Sequence, residues 1–167
     1  MDINGDVLFA DGRRIRKVIR ANGSVITVAG LHNINEWEPP TKCENLASKT
    51  ALRWPTDLTI NVLDQSLFFL DGDEVLQLKE GIIYRPQSCR KGSKLSLIES
   101  PKAITFSQYH NSLMIMASSL LSDRKPTLFK MDLSSDGQVE DLLKMPDEPG
   151  SWFSDMTTLS DGAILAW

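Results

Sequence analysis

The chain repeats one pattern of polar and hydrophobic positions, in which a short polar turn precedes four consecutive apolar residues. The four runs are Val7–Ala10, Leu67–Leu70, Leu113–Met116 and Ala163–Ala166. Apolar runs of this length between turn residues are typical of buried β-strands, because helices of comparable burial are longer. The pattern therefore predicts an antiparallel, all-β protein assembled from repeated units.

Further strand-like segments flank these runs. Segments that precede a run are Pro55–Ile60, Pro101–Phe106 and Phe153–Thr158; amphipathic segments that follow one are Arg14–Ile19, Glu74–Leu78 and Thr127–Met131; fourth segments are Ser24–Val28, Ile82–Tyr84 and Val139–Leu143. We expect Pro55 and Pro101 to begin their strands, where a missing N–H least disturbs the ladder. Each unit is thus predicted to hold four short antiparallel strands.

The spacing of the units indicates a β-propeller. Pro55 and Pro101 set a period of about 46 residues, close to that of a propeller blade. An irregular β-sandwich is the alternative, but it does not require one signature to return at blade spacing. We predict a partial propeller of about three to three and a half blades: blade 1 over about 1–30, an inter-blade loop over 31–50, blade 2 over about 51–87, blade 3 over about 98–145 and the start of another over 151–167. Because closed propellers need about four to eight blades, we interpret the chain as part of a larger protein.

Charge and composition exclude some classes of function. The formal net charge is −4, and a mildly acidic chain is a poor candidate for binding nucleic acid, which needs a concentrated positive surface. No apolar stretch approaches the roughly 20 residues of a membrane-spanning helix, and residues 1–6 do not resemble a signal peptide. Taken alone, these features favour a cytosolic protein.

Residues that could carry catalysis do not converge in the sequence. His32 and His110 fall in different units, and no nucleophile-elbow, phosphate-loop or zinc-protease motif is present. Some propeller hydrolases gather carboxylates around calcium, and the chain has four aspartates near the ends of inner strands: Asp11, Asp57, Asp71 and Asp155. We expect them to cap turns or bind neighbouring backbone instead. The sequence predicts no catalytic residue, no cofactor and no metal.

Four other residues are candidates for modification or contact. Asn22-Gly23-Ser24 is an N-glycosylation sequon in a predicted hairpin turn. Cys43 and Cys89 belong to no zinc-binding motif and are either two free thiols or one disulfide. Trp37, in a polar loop, is a candidate protein contact, whereas Trp54 is predicted to pack between blades.

Three segments of the chain resemble teneurins. Ala51–Asn61, with its Trp-Pro-Thr-Asp-Leu run, is similar to a teneurin segment, as are Leu63–Asp71 and Gly5–Arg16, in the same order. The resemblance covers residues 1 to about 90 and identifies the segment with the NHL propeller of the family, a six-bladed, TolB-like type. Teneurins are single-pass type II membrane proteins that act on the extracellular side of the plasma membrane in cell–cell adhesion, signalling and neuronal development.

The resemblance implies a non-catalytic protein-recognition module. Its partners would be other teneurins and latrophilin-type receptors, with no nucleic acid or small-molecule substrate. Teneurins carry cysteines at similar places, which implies a Cys43–Cys89 disulfide between two connections on one propeller face. Two alternatives remain at this point: a lactonase-type propeller enzyme, which would gather carboxylates and a metal at the axis, and a cytosolic NHL scaffold, which would carry a basic face and free thiols.

Overall fold

Four antiparallel sheets make up the part of the chain that the structure describes. The structure is a computed structural model that describes residues 1–31, 42–86, 98–119, 126–133, 139–144 and 155–167. The chain divides into two compact units, Met1–Cys89 and Arg90–Trp167. The first unit holds two of the sheets and the second unit holds the other two.

The first sheet has three strands in the order β1-β2-β3. They are β1 (Val7–Asp11), β2 (Arg14–Val18) and β3 (Val25–Ala29). Strand β1 is the first predicted apolar run, extended by Asp11, and pairs along its whole length with β2. These strands correspond to the second, third and fourth strands of the predicted blade.

The second sheet contains the four strands predicted for blade 2 and one more. Its order is β4-β8-β7-β6-β5, and the strands are β4 (Glu44–Leu46), β5 (Pro55–Ile60), β6 (Leu67–Asp71), β7 (Glu74–Lys79) and β8 (Ile82–Tyr84). Strand β4 lies inside the segment predicted to be an inter-blade loop. It pairs with the outer edge of β8, and a single 3-10 turn at Ala47–Lys49 follows it. A segment without the apolar signature therefore covers a sheet edge.

The second unit contains a four-stranded sheet and a two-stranded one. The larger has the order β12-β11-β10-β9, with β9 (Ile98–Ser107), β10 (Ser112–Ser119), β11 (Pro126–Asp132) and β12 (Val139–Lys144). The smaller pairs β13 (Met156–Thr158) with β14 (Ile164–Ala166). Met156 joins a buried cluster with Ala103 and Met114 of the larger sheet, so the two sheets share a core.

Two of the hairpins in the first unit use the same tight turn. The hairpins β1–β2 and β6–β7 are closed by the two-residue turns Gly12-Arg13 and Gly72-Asp73. Each glycine is the first central residue and has a positive φ, +58° and +65° respectively, as a type II′ turn requires. Both turns directly follow an aspartate that ends a strand, and Asp71 is one of these aspartates.

The prediction for the two prolines is confirmed at one and wrong at the other. Pro55 begins β5, as expected. Pro101 lies inside β9, where the pairing register with β10 shifts between Met116 and Ser118. Ser100 at this bulge has a φ of +45°. A bulge takes residues out of the ladder, so the proline's missing N–H is tolerated there and the strand continues through it.

The core of the first unit lies between its two sheets. Ile15 of the first sheet belongs to the same buried cluster as Leu52 and Phe69, and all three are 0% exposed. Strand β6 is buried along its whole length, on both faces. This burial explains why its sequence is a continuous apolar run rather than an alternating one.

Replacement of Phe69 by alanine should test this core. We expect Phe69→Ala to lower the free energy of unfolding by about 3–5 kcal/mol, because it removes a fully buried ring and leaves a cavity. Val62→Ala is the control, since Val62 is 44% exposed, and it should change stability by less than about 0.5 kcal/mol. Urea unfolding of the full chain measures both values. A loss below about 1 kcal/mol for Phe69→Ala would contradict the proposed core.

Candidate protein-contact site

A buried carboxylate holds the chain just before β5. Asp71 is the last residue of β6, is 9% exposed, and pairs across the ladder with Pro55. Its Oδ2 accepts a hydrogen bond from the backbone N–H of Arg53 at 3.0 Å, and its Oδ1 accepts one from the N–H of Trp54 at 2.6 Å. One side chain therefore fixes two successive peptide groups.

Trp54 is presented to solvent by this arrangement. Its neighbours Leu52 and Pro55 are both buried, while its own side chain is 64% exposed. The prediction that Trp54 packs between blades is therefore wrong. Leu52 occupies the core position instead, and the hydrogen bonds to Asp71 fix the Trp54 backbone while its side chain remains outside.

The surroundings of Trp54 are charged and exposed. The Nη1 atom of Arg53 lies 3.8 Å from Oδ2 of Asp73, and these side chains are 55% and 73% exposed. Arg53 also lies over Gly72, where an added Cβ would stand 3.1 Å from the arginine Cδ. An ion pair this exposed contributes little stability. The pair nevertheless places a cation and an anion next to the backbone segment Arg53–Trp54, which Asp71 binds.

A distortion follows two residues after Pro55. Asp57 has a φ of +45°, and the register of β5 with β6 shifts between Thr56 and Leu58. A positive φ is uncommon for a residue other than glycine, and bulges often re-aim side chains near functional sites. The segment 53–57 thus combines a fixed entry, an exposed indole and an irregular strand.

Burial dominates the electrostatics of Asp71. It raises the pKa of the carboxyl above its usual value, although the hydrogen bonds from Arg53 and Trp54 act in the opposite direction. The charge of Glu74 adds to the upward shift. The folded protein therefore binds the Asp71 proton more tightly than the unfolded chain does.

Asp11 and Asp155, two of the other aspartates singled out above, contact groups that are close to them in the chain. Asp11 contacts Arg14 and Arg16, each at 3.0 Å, and the hydrogen bond from Arg16 lowers the pKa of its carboxyl. Asp155 accepts a hydrogen bond from the N–H of Met156 at 2.7 Å. Among the described residues, no three His, Cys, Asp or Glu side chains are placed to hold a metal ion.

The histidines show no catalytic pairing in the part of the chain that is described. The backbone N–H of His110 donates to Ser107 Oγ at 3.3 Å, and its ring lies 4.9 Å from that of Tyr109, edge to face. This is a turn residue, as the sequence predicted. His32 lies outside the described residues, and so does Trp37, whose predicted contact role stays a prediction.

Cys43 immediately precedes β4 and is disulfide-bonded. Its carbonyl oxygen accepts a hydrogen bond from the N–H of Arg85 at 3.1 Å, just after β8. Cys89, four residues after Arg85 in the chain, lies outside the described residues. The pairing of Cys43 with Cys89 stays a prediction.

Asn22 occupies the turn between β2 and β3 and is exposed. Its side-chain Oδ1 accepts a hydrogen bond from the N–H of Ser24 at 3.0 Å, and Gly23 between them has a φ of +70°. The sequon therefore lies in a tight hairpin turn, and its asparagine is accessible to solvent.

A comparison with known families identifies the chain. The sequence model described as the Teneurin NHL domain matches residues 1–118, more than half of the protein. The chain belongs to the teneurin family. It is 31% identical over 164 residues to Teneurin-3 of Danio rerio, with 89% of this chain covered, and 32% identical over 164 residues to Teneurin-3 of Mus musculus, again with 89% covered. Teneurin-1 of Gallus gallus is 36% identical over 124 residues, which is 64% of this chain.

The teneurin relatives are much longer than this chain. The chain spans 6% of the length of either Teneurin-3 and 4% of that Teneurin-1. Among solved structures, a protein described as a candidate gluconolactonase matches with a TM-score of 0.63 and 15% identity, over 99% of this chain and 55% of that protein. At this identity the likeness supports the fold alone, a partial NHL-type propeller. Within the described ranges, no helix is long and apolar enough to cross a membrane.

The raised pKa of Asp71 predicts a specific pH dependence of stability. The stability that Asp71 contributes is present in full below its unfolded pKa, about 3.9, and is lost as pH rises through the higher folded value. We therefore expect the free energy of unfolding of the wild type, minus that of Asp71→Asn, to fall as pH rises from 3 to 7. Urea titrations at each pH measure this difference. A difference that grows with pH would show that the folded pKa is depressed instead.

The predicted Cys43–Cys89 bond can be tested by alkylation. In the secreted, non-reduced protein we expect neither cysteine to react with iodoacetamide, and a peptide containing both should appear in the mass spectrum. Closing a loop of about 47 residues stabilises a protein by on the order of 4 kcal/mol in the chain-entropy model, so reduction should lower the unfolding midpoint. Quantitative labelling of both thiols would disprove the pairing.

Proposed function

We propose that this chain is a non-catalytic protein-recognition module of a teneurin-like cell-surface protein that acts in cell–cell adhesion and neuronal development. The observation that carries the proposal is Trp54, an indole that is 64% exposed on a backbone held by Asp71. Membership of the teneurin family supports a place for this chain on the extracellular side of the plasma membrane, within a type II membrane protein.

Trp54 has the physical properties of a binding hot spot. Tryptophan is enriched among the few interface residues that dominate binding energy, because its large ring buries much apolar area and its N–H can pair. The backbone N–H of Trp54, as distinct from that of its indole, is bound to the buried carboxylate of Asp71. The backbone at this residue is therefore already ordered before any partner binds. Such preorganisation reduces the entropy lost on binding.

Charged residues close to Trp54 in the chain could supply a polar rim. Arg53, which precedes Trp54, and its ion-pair partner Asp73 are both more than half exposed. In protein interfaces an apolar centre is typically surrounded by polar groups that remain near water. The partners we propose are other teneurins and latrophilin-type receptors, as the family resemblance implies.

An enzymatic role is the alternative. The likeness to a candidate gluconolactonase raises it, but that likeness is at 15% identity and concerns the fold. Asp71, a carboxylate that could have served at a propeller axis, is bound to two backbone N–H groups. We therefore place recognition ahead of catalysis.

The proposal predicts the effect of removing the indole. In the complete ectodomain that carries this chain, Trp54→Ala should weaken binding to a teneurin or latrophilin partner by about tenfold to thirtyfold. Tyr109→Ala is the matched control, because Tyr109 is 67% exposed and lies away from this turn in sequence. Surface plasmon resonance measures the affinities, and bead aggregation measures adhesion.

Two results would count against recognition through Trp54. One is an unchanged affinity for Trp54→Ala toward every partner that the parent ectodomain binds. The other is equal loss for Trp54→Ala and Tyr109→Ala, which would indicate a general effect of removing exposed aromatic side chains. Circular dichroism confirms that both variants fold.

We also propose that Asn22 carries an N-linked glycan in the secreted protein. The exposed hairpin position and the accessible asparagine support this. Treatment with peptide-N-glycosidase F should increase the gel mobility of the wild-type protein by the amount expected for one glycan, whereas Asn22→Gln should not shift. The same mobility of the wild type before and after treatment would disprove the modification.

A further inference from the structure

A cavity of about 460 Å³ lies between the two sheets of the Met1–Cys89 unit. Its apolar wall comes from both sheets. The apolar lining residues are Leu8 and Val28 of the first sheet and Ile60, Leu67 and Leu78 of the second. Small-molecule sites are typically concave, mostly apolar and of about 300–1,000 Å³, so the size and lining of this cavity fit a ligand.

The floor of the cavity is the core of the unit. Leu67 and Leu78 belong to the buried cluster, and Leu8, Val28 and Ile60 pack against it while remaining partly exposed. An apolar group that entered the cavity would therefore contact well-packed side chains, and it would remove their exposed area from water. That burial is worth roughly 25 cal/mol per Å² of apolar surface.

A hydrogen-bonded segment near the start of the chain contributes to the cavity lining. The N–H of Ile3 donates to Gln65 Oε1 at 2.9 Å, which connects the first residues of the chain to the turn between β5 and β6. Asp2 Oδ1 accepts hydrogen bonds from the N–H groups of Asn4 and Asp6 at 2.9 and 3.0 Å. Asp2, Ile3 and Asn4 all line the cavity.

The charged residues of the cavity lining are predominantly acidic. Lys17 is the lining cation, and its Nζ is 3.1 Å from a carboxylate oxygen of Asp2 and 3.1 Å from one of Asp6. Its hydrogen bond to Asp6 raises the pKa of Lys17, so it remains an ammonium whose charge is already balanced. Glu80 is a second acidic residue on the lining. Arg20 packs its side chain against Gly5, outside the lining.

We infer that this cavity binds a small amphiphilic cation, with its apolar body between the two sheets and its ammonium group beside Glu80 and Asp2. Asp2, Glu80 and the adjoining Asp6 outweigh the single positive charge of Lys17, so the net negative charge at the cavity favours a cation and disfavours an anion. The site is separate from Trp54, so it stands or fails independently of the proposed recognition function.

Two probes with the same chain and opposite charge test the inference. Octylammonium and octanoate, both below their self-association concentrations, are titrated into the full chain at pH 7 by isothermal calorimetry. We expect octylammonium to bind at least about tenfold more tightly than octanoate. Trp54→Ala should bind octylammonium like the wild type.

Two variants locate the site. Val28→Phe places a ring in the cavity and should abolish octylammonium binding, whereas Val25→Phe, on the same strand but outside the lining, should not change it. Glu80→Gln should reduce octylammonium affinity by about threefold, as expected for an exposed ion pair. Circular dichroism checks that the variants fold, and methyl NMR of Leu8 and Ile60 reports occupancy of the cavity directly.

Each other outcome overturns the inference. Absence of octylammonium binding to the folded wild type would show that the cavity takes no such ligand. Octanoate binding as tight as octylammonium binding would refute the role of charge. Binding that survives in Val28→Phe, or methyl shifts remote from Leu8 and Ile60, would place the ligand elsewhere.

Discussion

The burial of strand β6 on both of its faces is the constraint on which the rest of the first unit depends. All five of its residues are buried, and Phe69 joins Ile15 of the neighbouring sheet in one core. A strand of this kind cannot alternate polar and apolar residues, so its sequence is a continuous apolar run. The polar group that ends the strand, Asp71, must then find hydrogen-bond partners within the protein, because an unpaired buried carboxylate is costly.

Those partners connect the core to the surface. The N–H groups of Arg53 and Trp54 bind the two oxygens of Asp71, and this fixes the chain that enters β5. Leu52 and Pro55 are buried on either side of this pair, so the indole of Trp54 is left outside. An exposed aromatic on an ordered backbone is thus a direct consequence of how the core ends. The interaction surface that we propose for this teneurin chain depends on that consequence.

Much of the strand pattern was predictable from the sequence, because buried strands and tight turns leave local signatures. The apolar runs became β1, β6, β10 and β14, and Pro55 began its strand. Three features were not predictable locally. Strand β4 is defined by its partner β8, Pro101 is accommodated by a bulge, and the exposure of Trp54 depends on a carboxylate 17 residues away in sequence. The Trp-Pro pair, with a buried strand ending in Asp-Gly, was the available signal for that site.

Asp71 holds the backbone at Arg53 and Trp54 in a fixed position. Amide hydrogen exchange of the full chain, resolved at these two residues, tests it most directly. We expect both amides to be protected to the same degree as those of β6, because their N–H groups are bound to a buried carboxylate. Exchange as fast as that of an unstructured peptide would contradict it.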